Sequence, residues 1–85
     1  MSPRFAYIYF MEDDPDRVRA AVPKHVSHWQ GLGLSGYVGG PFEDHTGGLI
    51  TFDADEDRAR DAVERDPFLL EGLLADHWLK RWAPE

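Results

Sequence analysis

The sequence predicts an α+β fold in which a four-stranded antiparallel sheet carries two helices on one face. Three observations lead there. An unbroken apolar run, residues 5–11 (FAYIYFM), stands near the start of the chain. Two short strand-like stretches, residues 34–40 and 48–52, follow one another across a loop. A helix-like stretch with acidic capping residues precedes this pair, and another follows it before a final Trp-containing stretch. The order is β-α-β-β-α-β, the split βαβ or ferredoxin-like arrangement.

In the first strand both alternating sets, Phe5, Tyr7, Tyr9, Met11 and Ala6, Ile8, Phe10, are apolar. Such a strand is covered on both faces. The segment Glu12-Asp13-Asp14-Pro15-Asp16 ends it, with Asp14 placed to cap a helix and Pro15 to open one. Pro23 should interrupt that helix and begin a second, putting His25 in the new opening turn. His25, Trp29 and Leu32 then share a helical face, with His28 beside them. Gly31 and Gly33 end the helix. Residues 34–40 form a strand weakened by Gly36, Gly39 and Gly40, residues 41–48 a loop, and residues 48–52 (GLITF) a strand that pairs back as a hairpin.

The next helix begins at a predicted capping box, with Asp53 three residues before Glu56, and buries Ala59, Ala62 and Val63. The following position on that stripe is Asp66, just before Pro67, so its carboxylate points inward. A carboxylate is unfavourable both at a helix C-terminus and on a buried face, so a purely structural Asp66 is poorly explained. Residues 68–74 form an apolar, partly helical connection broken at Gly72. Residues 76–82 (DHWLKRW) form the last strand, with Trp78 and Trp82 on one face and His77, Leu79 and Arg81 on the other.

At 85 residues the chain has room for one domain, residues 1–85, whose small core no disulfide can reinforce because there is no cysteine. The 42% hydrophobic and 13% aromatic content is generous for so small a surface. Helices on one face leave the other face of the sheet bare, and a second copy of the chain is the expected cover, giving a homodimer. A net charge of −7 without any basic run argues against nucleic acid as a partner. No apolar stretch reaches the ~20 residues that cross a bilayer, and the first ten residues lack the pattern of a signal peptide. A soluble, cytoplasmic protein is expected.

Four histidines and the inward Asp66 are the residues able to carry chemistry. A histidine titrating near neutrality beside an orienting carboxylate can transfer protons without a cofactor. His25 and His28 at i, i+3 could supply two metal ligands, with Asp66 and His77 as further candidates, but no standard zinc spacing is present, so no metal is expected. Trp29 most often means packing and can also line an aromatic pocket. Gly40, in Gly39-Gly40-Pro41, permits close backbone approach to a ligand. His28, Trp29, Gly40, Phe68 and His77 are therefore the expected substrate-contacting residues. His45 reads as an ordinary loop residue.

The apolar first strand, Pro23-Lys24-His25-Val26-Ser27-His28-Trp29, Gly39-Gly40-Pro41, Gly48-Leu49-Ile50, Asp66-Pro67-Phe68 and Gly72-Leu73 before Trp82 together resemble the YCII-related family. Its fold looks like that of muconolactone isomerase and other dimeric α+β barrels. The resemblance implies a catalytic dyad of a histidine from the Pro-x-His segment and the Asp of Asp-Pro-Phe. Here the Asp is Asp66, and the histidine is His25 or His28, with the Pro23-x-His25 pattern favouring His25. It also implies an enzyme without settling the reaction, in one branch associated with dehydrochlorination, and the proton-transfer chemistry of the histidine and carboxylate requires no cofactor. Two functions follow: an isomerase or lyase acting on a small cyclic or aromatic compound, or a non-catalytic small-molecule-binding or accessory dimer.

Overall fold

The structure, a computed structural model, describes residues 2–85. Its elements are β1 (Arg4–Met11), α1 (Pro15–Gly31), β2 (Ser35–Pro41), β3 (Gly47–Asp53), α2 (Glu56–Glu64), α3 (Pro67–Leu70) and β4 (Leu74–Arg81). The strands form one antiparallel sheet in the order β2-β3-β1-β4, which is the expected ferredoxin-like α+β architecture with α3 added. The apolar run at β1 takes one of the two central places, between β3 and β4. Among the described residues no helix is long and apolar enough to cross a membrane.

Strand alternation divides the sheet into two faces. Phe5, Tyr7 and Tyr9 of β1 and Ile50 and Phe52 of β3 are buried with Ala21 and Trp29 of α1 and Ala59, Ala62 and Val63 of α2. The register puts Phe5 opposite Phe52 and Tyr7 opposite both Ile50 and Leu79. Trp29 closes this layer, its ring 5.5 Å from Tyr7 and 5.7 Å from Phe52. Each such side chain contributes about 1.5–3 kcal/mol by leaving water. The opposite face carries Ile8, which sits across from Leu49 and Trp78. On it Phe10, Leu49 and Trp78 remain 37%, 39% and 42% exposed, so the two-sided cover expected of β1 is incomplete within one chain.

Four local expectations are corrected. Pro23 does not divide the first helix: α1 runs unbroken from Pro15 to Gly31 and places His25 in its interior. Pro23 lies on the exposed side, so the Arg19 carbonyl that lacks its i+4 donor can meet water, while Ala21, His25 and Trp29 are buried as one i, i+4, i+8 stripe on either side of the proline. Asp55, not Asp53, caps α2, accepting from Arg58 N at 2.8 Å, and Asp53 instead pairs with Arg4 at 3.1 Å. Residues 67–70 form a separate short helix, and β4 begins at Leu74, ahead of the expected residue 76. Gly33, at φ +63°, supplies the left-handed turn after the Leu32 cap of α1.

Candidate active site

The site lies where β1, α1 and the turn from α2 to α3 meet. α2 ends at Glu64, and Asp66 has left the helix for an extended backbone, φ −62° and ψ 124°. It caps α3, accepting from Phe68 N at 2.9 Å. The expectation of a carboxylate disfavoured at a helix C-terminus is thereby corrected: the buried Asp66 points inward as predicted, but it faces the free amide of the following turn.

Three further donors reach the same carboxylate. Trp29 Nε1 and Tyr7 Oη donate to Oδ2 at 3.2 and 3.3 Å, and His25 Nδ1 lies 2.8 Å from Oδ1. Indole and backbone N–H groups can only donate, so each carboxylate oxygen has one partner that requires it to accept. That network assigns the His25 hydrogen to Nδ1 and leaves Nε2 with its lone pair. Nε2 faces the Tyr9 hydroxyl at 3.3 Å. Among the described residues no buried side-chain nitrogen or oxygen lacks a partner.

The imidazole is fixed by packing as well. The Phe68 ring stacks on it at 4.0 Å with planes 13° apart, and Tyr9 meets it edge-on at 5.4 Å. Because the Phe68 amide bonds Asp66, the same short turn sets both the carboxylate and the stacking ring. Asp66 is fully buried and His25 is 7% exposed. Burial, then the charge of Asp66, raises the Tyr7 and Tyr9 phenols well above their ordinary value, with the Asp66 hydrogen bond a further cause for Tyr7 and nearby Tyr37 for Tyr9. Both phenols are therefore donors at neutral pH.

Tyr9, His25 and Phe68 line a cavity of about 350 Å³, closed by Val22 and Val26 of α1, Ile50 of β3 and the Gly40-Pro41 end of β2. Val22 and His45 also border a more open cleft of about 630 Å³ that runs past Met11 and the acidic residues 12–14. His45 holds φ +60°, a left-handed conformation unusual for a residue with a side chain. Asp44 secures that turn by accepting from Thr46 N at 3.1 Å and Thr46 Oγ1 at 2.7 Å.

His25 and Asp66, singled out from the sequence, are joined directly. Phe68 and Gly40 lie at the cavity, and Trp29 sits behind it, bonded to Asp66. His28 is elsewhere, with Nε2 2.8 Å from the Ala62 carbonyl, where it ties α1 to α2. His77 is exposed on the edge strand β4, its ring 6.2 Å from that of Tyr7. Among the described residues no three His, Asp or Glu side chains are grouped to hold a metal ion. Sequence reasoning missed Tyr7, Tyr9 and His45. Two tyrosines at i, i+2 in a buried strand were the available signal, because each inward hydroxyl needs a polar partner.

Comparison with known proteins agrees with this architecture. The structure aligns with 5-chloro-2-hydroxyhydroquinone dehydrochlorinase from Burkholderia phenoliruptrix AC1100, solved in complex with 2,5-dihydroxybenzoquinone, at a TM-score of 0.82 and 26% identity, covering 96% of this chain and 95% of that one. It also aligns with a variant of SnoaB, a cofactor-independent oxygenase from Streptomyces nogalater, at a TM-score of 0.54 and 15% identity over 96% of this chain and 93% of that one, a likeness of fold alone. No curated protein matches the sequence. Residues 5–83 match the YCII-related domain, a span that takes in β1 from Phe5 on, all the other described strands and helices and both members of the His25–Asp66 pair, and the chain belongs to that family.

Proposed function

We propose that this protein is a cofactor-independent enzyme of isomerase or lyase type, acting on a small cyclic or aromatic compound through His25 and Asp66. One observation carries the reading: Asp66 takes the Nδ1 hydrogen of His25 at 2.8 Å, so the basic Nε2 is held at the wall of a largely apolar cavity. His25 Nε2 accepts a proton from the substrate. Asp66 fixes the tautomer beforehand and stabilises the imidazolium that forms. Phe68, Ile50, Val22 and Val26 keep water from the reacting atoms. Where a ring chlorine is present, the proton taken from one ring hydroxyl is returned to the carbon bearing the chlorine, giving a keto tautomer; loss of a second hydroxyl proton then forms the other carbonyl as chloride departs with its bonding pair, so loss of HCl needs no external oxidant. The likeness to a dehydrochlorinase supports this lyase form.

The test is chloride release from 5-chloro-2-hydroxyhydroquinone and related chlorinated hydroquinones. Turnover by the wild type should fall ~10²–10⁴-fold in His25→Ala, the usual worth of a general base. A His25→Ala variant with undiminished turnover, or a wild type inert toward the whole series of ring compounds, would end the proposal.

The same reading includes a cytoplasmic homodimer formed through the open face of the sheet. Its support is the exposed apolar surface there, Phe10, Val38, Leu49, Trp78 and Trp82, gathered on one side of a small sheet. A stable pairing should bury ~1,200–2,000 Å² in total. Light scattering should find two chains per particle at micromolar concentration and one in Trp78→Asp; a monomeric wild type refutes it.

A further inference from the structure

Tyr9 belongs to the wall of the cavity, yet the proton transfer just described leaves it without a task. Its ring is buried, and its hydroxyl points at His25 Nε2 from 3.3 Å. That is long for a bond from a hydroxyl, whose usual reach is about 2.7–3.0 Å. A third oxygen about 2.8 Å from both atoms closes a triangle on this 3.3 Å base without moving either side chain. The strand beneath is built to let the hydroxyl reach this place. A Cβ at Gly48 would overlap the Tyr9 hydroxyl and come within 2.8 Å of the Gly40 carbonyl, so only glycine leaves the phenol its room.

We propose that Tyr9 is a substrate-contacting residue and that the group it receives, together with His25, is a ring hydroxyl of a phenolic or enolic compound. This rests on the preceding reading of His25 as the base. The substrate O–H lies in the notch and gives its proton to Nε2: the O–H bond breaks, an N–H bond forms, and the electron pair stays on the substrate oxygen. Tyr9 then turns its own O–H from Nε2 to that oxygen and stabilises the anion, keeping its proton throughout. Burial and the charge of Asp66 hold that proton in place. The substrate must therefore offer an oxygen that both donates to Nε2 and accepts from Tyr9. A hydroxyl does both, whereas an ether or a ring carbonyl in the same position can only accept.

The experiment compares hydroquinone with 1,4-dimethoxybenzene, which keeps the ring and the oxygens but has no O–H to give. Wild-type protein, titrated by calorimetry, should bind hydroquinone at least about tenfold more tightly than the ether. Tyr9→Phe should lose about tenfold for hydroquinone and stay within about twofold for the ether, and Gly48→Ala, which displaces the hydroxyl without deleting it, should follow the same pattern. A crystal of the wild type soaked in hydroquinone needs no variant and should place one oxygen between Tyr9 Oη and His25 Nε2. Equal loss for both compounds in Tyr9→Phe, no loss for either, or hydroquinone bound elsewhere in the crystal overturns the inference. The two proposals can fail separately. Selectivity that disappears in His25→Ala but survives in Tyr9→Phe removes Tyr9 and spares the base. Hydroquinone seated in the notch of a protein that turns over no ring compound supports Tyr9 and removes the catalysis.

Discussion

Replacing Asp66 by asparagine keeps the shape of the side chain and converts one carboxylate oxygen into an NH₂ group. Two orientations are available. With the amide nitrogen at the Oδ2 position, it confronts the Tyr7 hydroxyl, which can rotate to accept, and Trp29 Nε1–H, which cannot. With the nitrogen at the Oδ1 position, it confronts His25 Nδ1, which can change tautomer, and Phe68 N–H, which cannot. Either orientation leaves one buried donor unpaired, at about 1–3 kcal/mol, and turns the remaining charge-assisted bonds into weaker neutral ones. We expect a total loss of about 2–4 kcal/mol, and for a domain of this size every 1 kcal/mol lowers Tm by roughly 4–8 °C. Urea unfolding followed by Trp fluorescence, at fixed protein concentration, measures it. Trp29→Phe in the Asp66→Asn background removes the stranded indole donor and should cost less than in the wild type, a coupling of about 0.5 kcal/mol or more. An Asp66→Asn protein as stable as the wild type would show that the four bonds hold little of the fold together, and the reasoning would fail.

Two other outcomes follow from the same surroundings. Below pH 10 the phenols of Tyr7 and Tyr9 are neutral in both the folded and the unfolded chain; above it the unfolded chain ionises while the folded one, whose phenols are raised, does not, so stability should fall by ~1.4 kcal/mol per pH unit for each. Phenolate absorbance from these two residues should therefore appear together with unfolding, and their titration near pH 10 with the fold intact would contradict it. His45→Gly relieves the left-handed backbone at φ +60° and should leave Tm unchanged or raise it by a few degrees, whereas a clear drop would mean that the imidazole makes contacts worth more than the strain.

The sheet was legible because its central strand announces itself: few seven-residue stretches are apolar on both alternations, and residues 5–11 are. The hairpin and α2 were legible from glycines and from the Ala59, Ala62, Val63 stripe. Pro23 misled because a proline weakens a helix locally, while a buried stripe on both sides of it acts along the whole length. Asp66 was legible as inward-facing, but its reason was not, since a one-residue departure from α2 turns an unfavourable C-terminal carboxylate into an N-cap. The role of Tyr9 depends on a strand residue meeting a helix residue 16 positions away in sequence, a contact that no local pattern encodes.

The proline in α1 has a bearing on how a molecule enters so small a cavity. The backbone bond it removes is the one to the Arg19 carbonyl, in the turn that leads up to Val22, and Pro23 itself stands between the wall residues Val22 and Val26, two positions before His25. Residues 15–22 carry neither member of the dyad, and the residues after Pro23 are anchored by Asp66, the Ala62 carbonyl and the core around Trp29. The helix is thus soft at the threshold and stiff behind it. Amide exchange should be fast before Pro23 and slow after it, and transient fraying of the leading turns would admit a flat ring past Val22 while the imidazole stays registered on its carboxylate.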